Sequence, residues 1–298
     1  MSNFFWADLG TTLFNSAVLS MSVFIFASGL ALILGILKIL NFAHGALFAV
    51  GAYLVYSIVE WMGGAADLMQ LVAAVAVSGL VLAGIGLAAD TVIFRRIRDI
   101  DYHYSLIATY ALLLFTEGLI KVIWGVDFKS VASPPEVEGS LIAGGVVMPW
   151  LSVFAVATGV LTFIGLEYML NRTNLGKLMQ SVAVDPWMSN ALGINVPRIY
   201  TLIVVVSFAL AGVAGGLLAP TTALTPGMGI GLSLYAFGAL VVGGMGNIRG
   251  TFLASIALCT LDTFASSYLD LTPGIAFFLA IALILTMRPT GLTRGVGL

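Results

Sequence analysis

The sequence predicts an all-α polytopic membrane protein of about eight or nine transmembrane helices, with broken or re-entrant segments, its amino terminus outside and its carboxyl terminus inside. Three observations carry that prediction. Of 298 residues, 60% are hydrophobic and 9% charged, with a mean hydropathy of +1.09, whereas a soluble domain carries about 25% charged residues. Apolar stretches such as Leu71 to Phe94 and Ile199 to Leu218 continue unbroken, where barrel strands would alternate over segments of about ten residues. The basic residues also gather on one side of the resulting topology, as Lys and Arg do on the cytoplasmic side of a membrane.

With about 20 apolar residues needed per crossing, spans are placed near 14–36, 43–60, 70–94, 104–125, 148–170, 199–219, 232–247, 251–268 and 273–287. The first 37 residues hold no Lys or Arg and Asp8 is acidic, so the basic region of a secretory signal peptide is missing and the first apolar helix is expected to stay. Gly-rich stretches at Asn41 to Gly51 and Gly227 to Gly246 read as broken or re-entrant helices, which lipid tolerates only where backbone is buried in protein or lines a cavity. Putting the Arg95-Arg96-Ile97-Arg98 cluster inside also puts Lys38, Arg172, Lys177, Arg198, Arg249, Arg288 and Arg294 inside, ten of the twelve basic residues. Lys121 and Lys129 remain outside with Asp8, Glu60, Asp67, Asp127, Glu136, Glu138 and Asp270. Trp6, Trp61, Trp124 and Trp150 then fall at outer boundaries, where an aromatic belt is expected.

Two polar connections exceed a turn. Val126 to Val147, with Pro134-Pro135 and Gly144-Gly145, reads as an extended outer loop. The inner one, 171–198, stays largely out of the bilayer. There Asp185-Pro186 is a good helix start, with Pro at the first helical position, and a short helix Pro186 to Leu192 would end at Gly193.

Several chemistries are disfavoured. A net charge of −2 without long basic runs argues against nucleic acid. Cys259 is the only cysteine, inside an apolar run, and reads as a small packing residue. His44 and His103 lack metal-ligand spacing, so neither a metal site nor a catalytic site is assigned. Gly176-Lys177-Leu178 lacks the spacing and the Ser/Thr of a P-loop, so ATP is not hydrolysed on this chain. Gly244-Met245-Gly246 reads as a tight inner turn rather than a nucleotide motif.

The segment Leu40-Asn41-Phe42-Ala43-His44-Gly45-Ala46-Leu47-Phe48, followed by Gly51-Ala52-Tyr53, resembles the hallmark of the branched-chain amino-acid type of ABC importer permease, LivH-like. Further resemblance comes in order from Ser105-Leu106-Ile107-Ala108-Thr109, Leu192-Gly193-Ile194-Asn195-Val196 and Gly243-Gly244-Met245-Gly246-Asn247-Ile248-Arg249-Gly250. Gln180-Ser181-Val182-Ala183 and Trp187-Met188-Ser189-Asn190 depart from the family's more basic and more acidic residues at those places. The resemblance implies one permease domain over 1–298 in a bacterial inner membrane. It also implies a second, LivM-like permease, two ABC ATPase subunits that hold ATP and Mg, and an extracytoplasmic substrate-binding protein, with no cofactor on this chain. The solute would be a branched-chain amino acid or a related small amphipathic molecule. ATPase coupling would fall to Asp185, Pro186, Trp187, Met188, Ser189, Ala191, Leu192 and Gly193.

Candidates for the translocation path are Asn41, Phe42, His44, Gly45, Tyr53, Thr109, Glu117, Thr222 and Asp262. His44 and Asn41 sit at a Gly-flanked break, where they either repair backbone hydrogen bonding or bind polar groups of a solute. Glu117 and Lys121, four residues apart on one helix face, can pair. Asp262 has no opposite charge within four residues and either binds a solute ammonium or packs through hydrogen bonds to Thr or Ser neighbours. An ion-coupled secondary transporter is the alternative reading, with Asp262 and Glu117 as its coupling groups.

Overall fold

A computed structural model describes residues 2–288 apart from 65, 99–101, 138 and 144. Glu138, Gly144 and Arg294, named above, lie outside the described residues. The chain begins as α1 (Ser2–Leu32), which continues through a wider π-helical stretch, Ile33–Leu37, and stops at Lys38 in the left-handed region (φ 58°). After a non-helical return come α2 (His44–Trp61), α3 (Leu68–Ala89) with its π-helical extension Asp90–Phe94, the single turn α4 (Arg95–Ile97) and α5 (Tyr102–Trp124). The hairpin β1 (Ser140–Ala143) and β2 (Val146–Pro149) leads into α6 (Trp150–Arg172), α7 (Asn174–Val184) and α8 (Pro186–Ala191). The last four helices are α9 (Val196–Leu218), α10 (Met228–Gly243), α11 (Ile248–Tyr268) and α12 (Ile275–Met287).

Among the described residues, six helices are long and apolar enough to cross a membrane, lying within α1, α3, α5, α6, α9 and α11. The apolar α10 and α12 are shorter, and α2 lies buried along most of its length. The centre of the bundle is α1, α2 and α9. Helix α3 packs along α9, α11 along α1, and α10 touches α1, α2 and α11.

Lipid offers no hydrophobic drive between helices, so small residues that let backbones approach closely must supply the packing. At the centre, a Cβ on Gly51 would stand 2.7 Å from the Gly212 carbonyl oxygen, and one on Gly212 would stand 2.9 Å from the Ser78 carbonyl oxygen. The Ser78 hydroxyl donates to the carbonyls of Gly51 (3.0 Å) and Gly212 (3.2 Å). One serine and two glycines thereby join α2, α3 and α9. Ser16, Ser20, Ser22 and Ser28 of α1 return their hydroxyls to carbonyls one turn back, so these four hydroxyls of α1 are paired within their own helix.

Local signals set the helix ends. Asp67 and Gln70 form a reciprocal capping box at α3, Thr173 caps α7, Asn195 caps α9 and Asn247 caps α11. The connection expected as an extended loop contains the hairpin instead. Leu141 and Ile142 face Met148 and Val147, with Gly145 at φ +86° just before β2, so apolar and β-branched residues pair where the prolines alone suggest irregular chain.

The ends of the bundle differ in chemistry. One end gathers Arg95, Arg98, Arg249, α7 and α8. The other gathers Trp124, the hairpin, and the Lys129–Leu224 bridge that zips the link after α5 to the link after α9.

Replacing Gly212 with Leu is expected to drive α2 and α3 apart and cost about 3 kcal/mol or more, whereas Ser78→Ala should cost only about 0.5–1 kcal/mol. Thermal unfolding of both variants in detergent measures the contrast. Equal losses would show that the close backbone approach is not what holds the centre.

Candidate functional site

The break between α1 and α2 brings most of the sequence-selected residues together. Asn41 is buried, and its Oδ1 accepts from the Ala43 amide (3.1 Å), a short side-chain turn that replaces a helical bond. The Thr109 hydroxyl of α5 donates to the Leu40 carbonyl (2.9 Å). His44, fully buried, holds its Nε2 3.1 Å from the Phe26 carbonyl oxygen. A carbonyl only accepts, so Nε2 carries the proton and Nδ1 is the bare acceptor. The ring fits because Gly29 has no side chain, and it stands edge-on to Phe26 (4.8 Å). Thr109 and the Asn41 side chain therefore repair backbone at the break, whereas His44 ties α2 to Phe26 within α1, and the Nδ1 of His44 and the Nδ2 of Asn41 make no hydrogen bond among the described residues.

Gly45, the second residue of α2, lies against the start of α10. A Cβ on it would stand 2.5 Å from the Ser233 hydroxyl and 3.0 Å from the Gly229 carbonyl oxygen. Two helices thus begin side by side inside the bundle. Phe42 lies half-buried beside them, its ring 5.7 Å from Phe237 of α10 and 6.4 Å from Tyr110 of α5. Phe42 thus stands between a ring of α5 and a ring of α10.

Farther along that face of α5, Glu117 is half-buried and Lys121 exposed, and no ion pair joins them among the described residues. The i,i+4 spacing allows the contact, but the carboxylate turns toward the α9–α10 link instead: a Cβ on Gly227 would lie 4.0 Å from its Oε1. Tyr53 packs on Trp124 (5.2 Å) with its hydroxyl unbonded among the described residues, and Thr222 is exposed in the α9–α10 link, donating to Leu218 (3.1 Å).

Asp262 stands apart from this group. Its carboxylate accepts from the Tyr235 hydroxyl (2.9 Å) and from the amides of Gly274 (2.9 Å) and Phe277 (3.2 Å). Tyr235 and Phe237 point about 200° apart around α10, so Asp262 anchors α12 on the side of α10 away from Phe42. Its side-chain partners are a tyrosine and backbone amides, where the sequence left a solute ammonium and Thr or Ser neighbours open.

At the arginine-bearing end, α8 forms as the sequence predicts. Asp185 caps it by accepting from the Met188 amide (2.9 Å), Pro186 follows, and Gly193 takes φ +85° just past its end. Ser189 is buried, while Trp187 (75%), Met188 (47%) and Leu192 (74%) are exposed, and Ala191 lies on the exposed side with them. Helix α7, which precedes it, was not anticipated, although Thr173 and the spacing of Leu175, Leu178, Met179 and Val182 signal it.

Asp90 was also missed. Fully buried where α3 widens into a π helix, it pairs with Arg95 (3.2 Å) and Arg98 and accepts from the Thr201 hydroxyl of α9 (2.6 Å). Arg98 lies 4.7 Å from the centre of the Tyr200 ring, and burial lowers its guanidinium pKa while Asp90 opposes that. A second polar chain runs from Gln180 of α7 to Asn171, from Asn171 to Glu167 of α6, and from Glu167 to Arg249 of α11.

Comparison with known proteins adds to this geometry. Residues 12–287 match the family described as branched-chain amino acid transport system / permease component. The high-affinity branched-chain amino acid transport system permease protein BraD of Pseudomonas aeruginosa is 29% identical over 94% of each chain. LivH of Escherichia coli is 28% identical over 94% of each chain, and the probable branched-chain amino acid transport permease protein LivH of Methanocaldococcus jannaschii is 26% identical over 96% of this chain and 93% of its own. Among solved structures, PsaBC from Streptococcus pneumoniae in complex with Fab covers 94% of this chain and 88% of its own at 13% identity and a TM-score of 0.42, a likeness too loose to fix the fold.

Asp262→Ala would leave the Tyr235 hydroxyl and two backbone amides unpaired in the core, at an expected cost of about 3 kcal/mol or more. Asp262→Asn keeps an acceptor and should lose about half as much. Thermal unfolding in detergent reads both; an unchanged midpoint for the alanine variant would mean that the carboxylate does not anchor α12.

Proposed function

Since the chain belongs to the branched-chain amino acid transport system permease family, we propose that it carries branched-chain amino acids or related small amphipathic solutes across the membrane beside a second, LivM-like permease. The chain is the permease subunit of an ABC importer. It is a multi-pass inner-membrane protein and not an enzyme, and ATP is hydrolysed on separate subunits. The finer reading adds two ATPases that hold ATP and Mg, and an extracytoplasmic protein that delivers the solute. The arginine-bearing end faces the cytoplasm, as the distribution of basic residues requires, and the tryptophan-bearing end faces outward. With α2, α10 and α12 counted, the spans number about nine.

The observation that carries the coupling role is the exposure of Trp187, Met188 and Leu192 on a short helix whose two ends are both capped. A capped helix that presents apolar side chains to water at the end where ATPases must dock is a surface awaiting a partner. Asp185 and Pro186 start it, Ser189 seats it, Ala191 adjoins the apolar side chains and Gly193 turns the chain into α9. ATP-driven closure of the ATPases would push on this helix and, through α9 and α7, on the break at Asn41 to Gly45. The path passes the point where Phe42, in the return between α1 and α2, meets Tyr110 of α5 and Phe237 of α10. Of the two coupling groups that a secondary transporter would use, Asp262 already has its oxygens engaged, which leaves Glu117 alone.

Gly193→Glu tests the coupling role. A Cβ at Gly193 meets nothing within 4 Å, so the substitution adds charge and left-handed strain without a clash. The variant should insert normally, yet ATP-dependent uptake into proteoliposomes should fall about tenfold or more. Uptake at the wild-type rate would remove the Asp185 to Gly193 segment from the coupling role.

A further inference from the structure

The carboxylate of Glu117 and the ammonium of Lys121 sit one turn apart on the same face of α5 without pairing, about 10 Å or less below the Trp124 end of that helix. A charge at such depth is costly in lipid and marks a face turned toward protein or a water-filled path. The neighbouring positions on this stripe are Tyr110 and Leu114, half or more exposed and uncharged. Across from it, Gly227 is exposed at the start of α10, where the missing side chain leaves the Glu117 carboxylate uncovered. Two turns below Glu117 on the same face, Tyr110 meets Phe42.

We propose that Glu117 and Lys121 together form a clasp for a zwitterion, Glu117 receiving the α-ammonium and Lys121 the α-carboxylate of an amino acid held above the Phe42, Tyr110 and Phe237 constriction. The inference rests on the importer reading and names the recognition groups of its path. The chemistry fits on both sides. An α-amino acid carries its opposite charges on adjacent carbons, and a helix turn spaces an acid and a base to receive them. A solute that satisfies both groups also lifts the penalty of leaving each charge unpaired near the hydrocarbon. The aliphatic side chain would then lie against Leu114 and the aromatic trio, which select for apolar bulk rather than for a particular branch. The Lys129–Leu224 bridge holds the two outer links together beside this point, so the solute would enter past the exposed Thr222.

The clasp is tested in proteoliposomes holding the complete importer, with ATP inside its reach and L-leucine as the transported probe. Glu117→Gln and Lys121→Gln should each lower the maximal uptake rate roughly tenfold to a hundredfold, the effect of losing a charge-assisted contact. The concentration of leucine-loaded binding protein that gives half the maximal rate should stay as in wild type, because delivery precedes the clasp. The exchanged pair Glu117→Lys with Lys121→Glu should recover part of the rate by holding the zwitterion reversed. Should Glu117→Gln fail to assemble with its partners, the exposed Lys121→Gln carries the test alone. Wild-type rates in both single variants would overturn the proposal, as would losses that appear only as weaker use of the binding protein. A zwitterionic lipid headgroup shares this chemistry, so the comparison is repeated in phosphatidylglycerol bilayers without phosphatidylethanolamine. Losses that vanish there would assign the pair to lipid and overturn the proposal. Absent uptake by the wild-type complex would instead overturn the importer reading, and this inference with it.

Discussion

A peptide group freed inside a bilayer has no water to turn to, and the return between Lys38 and Ala43 is where this protein meets that constraint. Asn41 closes a local turn, Thr109 reaches across from α5, and His44 reaches back to α1. These bonds fix α1, α2 and α5 relative to one another. The close approach at Gly45 and Gly229 then places α10 against the same point. The contacts of Phe42 with Tyr110 and Phe237 therefore hang on how the broken backbone is repaired.

The remainder of the bundle divides into a tightly packed centre and a polar end. Glycines and Ser78 hold α2, α3 and α9 almost backbone to backbone, leaving little room for those helices to slide independently. At the arginine-bearing end, Asp90 ties the extension of α3 to α9, and the chain of Gln180, Asn171, Glu167 and Arg249 ties α7 to the start of α11. The turn before α11 rests on α1, since a Cβ on Gly246 would stand 2.7 Å from the Cα of Gly35. Contacts thus run without interruption from the α7–α8 segment to the end of α1 and onward to the break.

Much of this was legible in the sequence wherever the signal is local. Asp185, Pro186 and Gly193 mark a helix by capping chemistry alone, and the structure forms it within a residue of the expected end. The Gly-rich runs pointed to the right regions, but the glycines serve mainly close helix approach, while the break itself falls at Lys38 to Ala43 and in the links on either side of α10. What sequence could not settle was which neighbour a polar side chain would choose. Glu117 and Lys121 have the spacing to pair and do not, because Gly227 across the interface leaves the carboxylate another direction to take. Asp262 satisfies itself on residues 12 and 15 positions later and on a tyrosine 27 positions earlier. Asp90 reaches Arg98 eight residues on because a π-helical stretch alters the usual spacing, a pairing that helical periodicity does not suggest.

The central claim is that this chain works as one permease of an ATP-driven assembly, engaged through the helix between Asp185 and Gly193. Native mass spectrometry of the protein extracted gently from its own membrane addresses it most directly. The expected result is an assembly containing this chain, a second permease and two ATPase subunits, from which the ATPases are lost when Trp187 is replaced by Ala. A chain recovered alone or only with copies of itself, with no ATPase attached, would contradict it.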